Sequence, residues 1–357
     1  MTRRIAVRQV GETEYAIWNK MIASSAGGSI YSTPEYLDIF CGAAGGKFRL
    51  LAADRGGELV GGIALCEHET SWGKYLGGRY LLYYNGFVVK PHASKYPSER
   101  VAKTIETLSA LEEAVRTAGY GRVSIRSRSL CDVRVFKSTG WRAVPSYTYV
   151  VPLTDVQTQW ARVEQNLRRL VTRCVREDFQ FTDDDDFDSY HQFHLATAAR
   201  KQAGVYLPEG AYKRYFERLR KWGHCHLFHA RLPDGRAISS QLVLTGMHPV
   251  WHMVSAAADA AHLHTGATAF LRWKGFEKLA NLGASAVDLT DAEINPVTHF
   301  KSQFGGELQL NFLLTRPDAI GFAIESSLKS ARSAAGSLAA RVGTVGKRAQ
   351  QNGEQRS

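Results

Sequence analysis

The chain has 357 residues, 44% of them hydrophobic, with 45 Lys and Arg against 34 Asp and Glu for a formal net charge of +11. This composition excludes a disordered body, the length favours two domains over one, and the charge favours an anionic partner: a nucleotide-linked substrate, RNA or a lipid surface. Neither a run of some eighteen apolar residues nor an apolar stretch after Met1-Thr2-Arg3-Arg4 is present, so the expected location is cytoplasmic, with no membrane span.

In chain order, strands are predicted at Phe48 to Ala53 and Leu59 to Cys66, joined at Asp54-Arg55-Gly56-Gly57 as a hairpin, with a further strand from Tyr80 to Val89. A helix from about Glu99 to Ala118 carries Val101, Ile105, Leu108, Leu111 and Val115 at helical spacing. Val123 to Arg126 reads as a strand, and Phe136 to Gly140 as the end of a further helix. A second unit begins after Val150-Val151-Pro152-Leu153. Its first helix, about Gln159 to Glu177, has Trp160, Val163, Leu167, Leu170 and Cys174 on one face and a string of arginines elsewhere. Asp183 to Asp186 reads as an acidic loop. Helices carrying His191 and His194 towards Arg200-Lys201 and spanning Glu209 to Trp222 precede a hairpin, His224 to Leu232 and Ala237 to Thr245. Gly266 to Gly283 reads as a helix, Ala284 to Leu289 as a buried strand, and a short helix from about Val297 stops at Gly305. Both halves run from helix into hairpin and then through strand, helix and strand, as two divergent copies of one mixed α/β unit.

The last helix contains Phe300-Lys301-Ser302-Gln303-Phe304-Gly305-Gly306. On spacing alone Lys301 is either a cation at the negative end of a helix dipole, with Phe300 and Phe304 in the core, or a cation aimed at developing negative charge.

This segment and the ordered pieces before it resemble the FemAB-like branch of the GNAT acyltransferase superfamily. The matching pieces are Ser32-Thr33-Pro34-Glu35-Tyr36-Leu37, Leu59-Val60-Gly61-Gly62, Asn85-Gly86-Phe87-Val88-Val89, Asn166-Leu167-Arg168-Arg169 with Arg173, the His194 to Gly204 stretch and the helix from Gly266. The resemblance implies two tandem GNAT-like domains with mixed, twisted sheets flanked by helices. Residues 1–150 would form a degenerate first domain, 151–316 a second carrying the reaction cleft, and 317–357 a basic tail. It implies transfer of an acyl or aminoacyl group, from acyl-CoA or aminoacyl-tRNA, to an amine or hydroxyl of a cell-envelope glycan, peptide or lipid-linked precursor. In that setting Lys301, beside Phe300, stabilises the tetrahedral transition state. Three features depart from the pattern. The pyrophosphate loop is degenerate over His262 to Ala269, Tyr31 to Gly46 contains no lysine or arginine, and no long charged helical hairpin is inserted as a tRNA-gripping arm.

The remaining candidates follow from their positions. Backbone amides at His264, Gly266 and Ala267, where a helix starts, suit the anionic part of the donor. Arg200 and Lys201 at a helix end suit an acceptor phosphate or carboxylate, or are a solvated terminus. Arg169 and Arg173 form a second basic edge for substrate, or a solvated face. Asp288, at a strand end, is the first choice for a general base, with Asp291 and Glu293 behind it. The five scattered cysteines offer no C-x-x-C pair. His224 and His226 would share one strand face and Cys225 and His229 the other, so neither a metal site nor a tightly bound cofactor is expected. The tail after Pro317 repeats apolar residues every three or four positions between lysines and arginines, which reads as an interfacial helix at the inner face of the membrane or as a frayed extension. Two other readings fit the basic cleft and the tail: a non-catalytic module binding RNA or a nucleotide-linked glycan, and a membrane-associated assembly protein.

Overall fold

The computed structural model describes residues 4–77, 80–294 and 296–328. The first unit contains β1 (Ile5–Gln9), α1 (Tyr15–Ser24), α2 (Pro34–Ala44), β2 (Lys47–Arg55), β3 (Glu58–Thr70), β4 (Gly73–Leu76), β5 (Phe87–Val89), α3 (Pro97–Thr117), β6 (Arg122–Ser127), α4 (Arg134–Ser138) and β7 (Arg142–Pro152). The second contains α5 (Val156–Arg162), α6 (Gln165–Arg176), β8 (Gln180–Asp183), α7 (Phe187–Lys201), α8 (Glu209–Trp222), β9 (Cys225–Arg231), β10 (Ala237–Leu244), β11 (Val250–Ala258), α9 (Ala267–Asn281), β12 (Ala286–Asp288), α10 (Pro296–Ser302) and β13 (Glu307–Thr315). The elements correspond one to one once β5, α5 and α6 are set aside: a strand, two helices, a hairpin, a strand paired in parallel across a long helix, a short helix and a last strand.

One continuous sheet joins the units, in the order β1-β2-β3-β4-β6-β13-β7-β12-β11-β10-β9-β8, with β5 beside β3. The last strands are exchanged. β13 lies between β6 and β7, and β7 pairs through Val150–Pro152 with β12. The expected boundary at 150/151 therefore falls inside β7, and the last strand of the second unit completes the sheet of the first. Each unit's sheet is completed by the last strand of the other, so the two cannot be cut apart there without opening the ladder.

Three cores flank this sheet. One belongs to both units and joins Trp18, Tyr31, Tyr36 and Phe40 to Tyr190, Tyr212, Tyr215 and Leu242. A second packs α6 and α9 onto the second unit's strands, and a third packs α3 and α4 onto the first unit's.

Four expectations change. The helix expected from Gln159 to Glu177 is two helices, α5 and α6, because Val163 is extended (ψ 134°) and the chain after α10 docks at the break. There the Glu164 amide donates to the Gln303 carbonyl (2.9 Å), and Gln303 Nε2 donates to Glu164 (2.9 Å). Of the strand expected from Tyr80 to Val89, only Phe87–Val89 forms, since Leu81 is left-handed (φ 72°) and the segment before β5 turns to line a cleft. Asp183, read as the start of an acidic loop, instead ends an edge strand, Gln180–Asp183. The tail does not leave the body at 317. Phe322 is buried against Tyr75 and Gly121, and Arg122 donates to Asp318 (2.8 Å) and to the Phe322 carbonyl (2.9 Å). The expected membrane contact of residues 317–357 falls largely on 329–357, outside the described residues.

Gly305 is the tightest point of the α10 connection. It has φ 72°, and a Cβ there would stand 2.7 Å from the Arg162 backbone oxygen. Gly305→Ala should destabilise the fold by more than about 1 kcal/mol, read as a lower urea midpoint; an unchanged midpoint would mean the junction is loose.

Candidate active site

The sheet opens where β11 and β12 part. The two run parallel but pair only over Val250–His252 and Ala286–Asp288. Beyond His252, β11 continues with a bulge against β10: Leu242 faces Ser255 and Val243 faces Met253, leaving Val254 as the extra residue. A bulge bends its strand and frees backbone groups. Here the Val254 carbonyl accepts from the hydroxyl of Tyr83, contributed by the first unit (3.0 Å). On the other side, Thr290 and Asp291 are both left-handed (φ 49° and 51°), a costly conformation for non-glycine residues that tends to mark functional positions. Thr290 Oγ1 donates to the Met253 carbonyl (3.1 Å) and so bridges the fork at its base.

The fork encloses a cavity of about 550 Å³, lined among others by Ser255, Arg272, Asp291, Lys201 and Lys301. Lys301 reaches it from the end of α10. Its Nζ donates to the consecutive carbonyls of Thr290 and Asp291, the latter at 2.7 Å. Two of the ammonium's three N–H bonds are thereby fixed, which leaves the third for a ligand. Burial lowers its pKa to about 8, assisted by the positive charge of Arg272 and opposed by Asp291 and Asp288. The aromatic positions hold the helix. Phe304 is fully buried against Phe276 (5.5 Å between ring centres), and Phe300 meets Phe304 edge-on (5.2 Å). Burying a ring of this kind contributes roughly 1.5–3 kcal/mol.

The first unit provides an internal control. Its counterpart of α10 is α4, which also ends in a Phe-Lys-Ser run, Phe136-Lys137-Ser138, followed by a left-handed glycine, Gly140 (φ 84°). Phe136 is buried, yet Lys137 is exposed. A helix-end lysine beside a core phenylalanine is thus solvated in one copy and drawn into the fork in the other, so the helix motif alone does not account for the placement of Lys301.

A second cavity of about 730 Å³ lies between the units, lined among others by Tyr80, Leu82, Arg126 and Leu313. It shares Tyr83, Tyr206 and Asp291 with the fork cavity. Tyr80 and Tyr206 stack at its edge (4.8 Å between ring centres). Asp291 therefore faces both spaces.

The structure redistributes the sequence candidates. Lys201 lines the fork cavity, whereas Arg200 is exposed and lines neither cavity. Arg169 and Arg173 do not join the acceptor side. With Arg168 and Arg176 they line a groove of about 690 Å³ on α6, and Arg173 donates to the carbonyls of His264 (3.2 Å) and Thr265. This groups them with the turn before α9, where Gly266 is left-handed (φ 87°) and a Cβ would meet the Leu170 side chain at 2.9 Å. His264, Gly266 and Ala267 thus lie at a helix start beside a basic edge, and the first-turn amides of α9 point the way an anion would be held. Phe300 acts by packing.

Asp288 is the clearest correction. It is completely buried: Oδ1 accepts from Thr148 Oγ1 (2.5 Å) and the Thr290 amide (2.7 Å), Oδ2 from Tyr84 (2.8 Å), and Arg128 and His252 stand 3.8 and 3.7 Å away. With both oxygens occupied it is a structural anchor out of an acceptor's reach, and Asp291 is the carboxylate at the cavities. A cluster of Asp184, Asp186 and His229 also forms, and Arg231 donates to both carboxylates (3.0 and 2.9 Å), offsetting one of their two charges.

Sequence reasoning missed Arg272. It lies on the buried face of α9 and is only 5% exposed. Its signal was available: the residues three and four positions away, Thr268, Ala269, Gly275 and Phe276, are small or apolar, so an arginine there points inward.

Comparison with known proteins agrees with this architecture. Residues 159–302 match the acetyltransferase (GNAT) domain family. The crystal structure of FemX superposes with a TM-score of 0.66 at 12% identity, over 86% of this chain and 96% of that one. The chain thus has a FemX-like fold, in which residues 159–302 match the GNAT domain model. A tandem GNAT protein from the clavulanic acid biosynthesis pathway (TM-score 0.53, 12% identity, 88% and 98% covered) is also similar. So is the C-terminal domain of a putative lysylphosphatidylglycerol synthetase from Agrobacterium fabrum (0.54, 13%, 87% and 94%). No curated protein sequence matches the chain. Among the described residues, no helix is long and apolar enough to cross a membrane.

If Asp288 anchors the sheet, Asp288→Asn should cost about 3–5 kcal/mol of stability, because it leaves Arg128 buried beside a neutral group. Chemical denaturation reads this directly, and a variant of wild-type stability that had lost only turnover would restore Asp288 as a base.

Proposed function

We propose that the protein is an acyltransferase that moves an acyl or aminoacyl group from acyl-CoA or aminoacyl-tRNA to an amine or hydroxyl acceptor, a cell-envelope glycan, peptide or lipid-linked precursor. The observation that carries this reading is the Lys301 ammonium, fixed by two backbone carbonyls inside a fork between parallel strands. A cation held this way needs no reorganisation when an oxyanion forms. The FemX-like fold and the neighbour named for lysylphosphatidylglycerol synthesis support an envelope or lipid acceptor.

In this mechanism the donor's carbonyl enters the fork with its oxygen on Lys301, and its anionic portion lies along the Gly266 turn and the arginines of α6. The acceptor occupies the cavity between the units. Its nitrogen or oxygen attacks the carbonyl carbon, forming a C–N or C–O bond and a tetrahedral oxyanion. Asp291, at the junction of the two cavities, takes the nucleophile's proton. Collapse of the intermediate breaks the C–S bond of a thioester or the C–O bond of an aminoacyl ester, and the departing thiolate or alkoxide recovers the proton. The absence of lysine and arginine from Tyr31 to Gly46 fits an acceptor gripped by the tyrosines of the inter-unit cavity and not by a basic first-unit loop.

Lys301→Met should lower kcat by about 10²–10³-fold with the fold intact. The ratio of wild-type to variant rate should shrink as pH rises through about 8, where the ammonium loses its proton; acceptor deprotonation affects both proteins and cancels. A ratio constant from pH 6 to 10 would remove the ammonium from the mechanism. Asp291→Asn should reduce kcat by about 10²–10⁴-fold, measured by single-turnover transfer, and full activity would assign the proton elsewhere.

A further inference from the structure

The fork cavity is electrostatically incomplete. Arg272, Lys301 and Lys201 line it, against a single lining carboxylate, Asp291. Arg272 is the least compensated of these. Its Nη2 donates to Gln241 Oε1 (3.3 Å), while Nε and Nη1 have no partner among the described residues. The Gln241 amide is committed in turn, with Nε2 donating to the carbonyls of Leu242 and Ser255 (both 2.9 Å), so its oxygen is fixed towards the guanidinium. The rings of Phe300 and Phe304 lie 5.3 and 5.6 Å from the guanidinium carbon and offer partial cation–π compensation. An arginine held in place, aimed into a cavity and short of an anion is a receptor for one, since a buried charge is tolerated when it is paired.

We infer that Arg272, flanked by Lys301 and Lys201, binds an oxyanion group of the substrate, a carboxylate or phosphate close to the carbonyl being transferred. The site selects substrates that carry negative charge next to the reacting centre, a requirement separate from the donor's own anionic part at the Gly266 turn. The inference rests on the acyl-transfer reading for the meaning of the site, but anion binding is measurable without any transfer.

The test is thermal unfolding of the full chain in chloride, acetate and inorganic phosphate at one ionic strength. At about ten times the half-saturating concentration, acetate or phosphate should raise the wild-type midpoint by about 2 °C in a saturable manner. Arg272→Gln and Arg272→Lys should lose the response, Lys201→Gln should raise the half-saturating concentration several-fold, and Arg142→Gln, exposed on β7 and lining neither cavity, should respond as wild type. Preference for acetate assigns a carboxylate, and preference for phosphate a phosphorylated substrate. In anion-free buffer Arg272→Met should be at least as stable as wild type, because it removes an unpaired buried charge; a merely structural arginine would lose stability instead. No saturable anion effect, or the same effect in the Arg272 variants, would overturn the inference. Should the Arg272 variants fail to fold, an unchanged half-saturating concentration in Lys201→Gln would overturn it. Loss of transfer through Lys301→Met with the anion response weakened but saturable, as for Lys201→Gln, would leave both readings standing, whereas the same weakened response with unaltered transfer in that variant would sink the catalytic reading alone.

Discussion

Three residues of β12, Ala286–Asp288, tie the two halves of the sheet together, pairing with β11 on one side and with β7 on the other. Everything at the site follows from how short that strand is. The terminal carboxylate of Asp288 is saturated by Thr148, Thr290 and Tyr84, so the strand is pinned at its last residue. Immediately afterwards the chain passes through two left-handed residues and turns away while β11 continues. A longer β12 would close the fork with ladder hydrogen bonds and leave no cavity.

The same turn prepares the cation. Left-handed Thr290 and Asp291 present their carbonyls to Lys301, which substitutes for the partners a continuing strand would have supplied. Burial in turn weakens the hold of the ammonium on its proton. The fork thus combines a preorganised donor with burial, and both strengthen electrostatic stabilisation of a transition state. The exposed Lys137 of the first unit has neither, although its helix ends in the same Phe-Lys-Ser run.

Local features were legible in the sequence wherever local physics decides them. The two hairpins, the helix α8 and the helix α9 follow from apolar periodicity and turn residues, and they fall close to their expected limits. The exchange of β7 and β13 was not legible, because a strand pairs equally well with either neighbour as far as its own alternation shows. The break between α5 and α6 was hidden since Trp160, Val163, Leu167 and Cys174 keep helical spacing across it; Gln303 and Gly305, from the far end of the chain, impose it. Asp288 was misjudged for a related reason: a carboxylate at a strand end looks accessible until the tyrosine and arginine that cover it, from the first unit, are in place. Lys301 was found through resemblance, and Arg272 was passed over within a helix judged only by its apolar positions.

The central claim is that the reacting carbonyl lies in the β11/β12 fork against Lys301. The most direct measurement is a crystal structure with a non-reactive donor analogue, either an acyl-coenzyme A with methylene in place of sulfur or an amide-linked aminoacyl-oligonucleotide. The account predicts the analogue's carbonyl oxygen within hydrogen-bonding distance of Lys301 Nζ, with its phosphates along the Gly266 turn. Both analogues bound with the carbonyl outside the fork, and Lys301 unengaged, would contradict it.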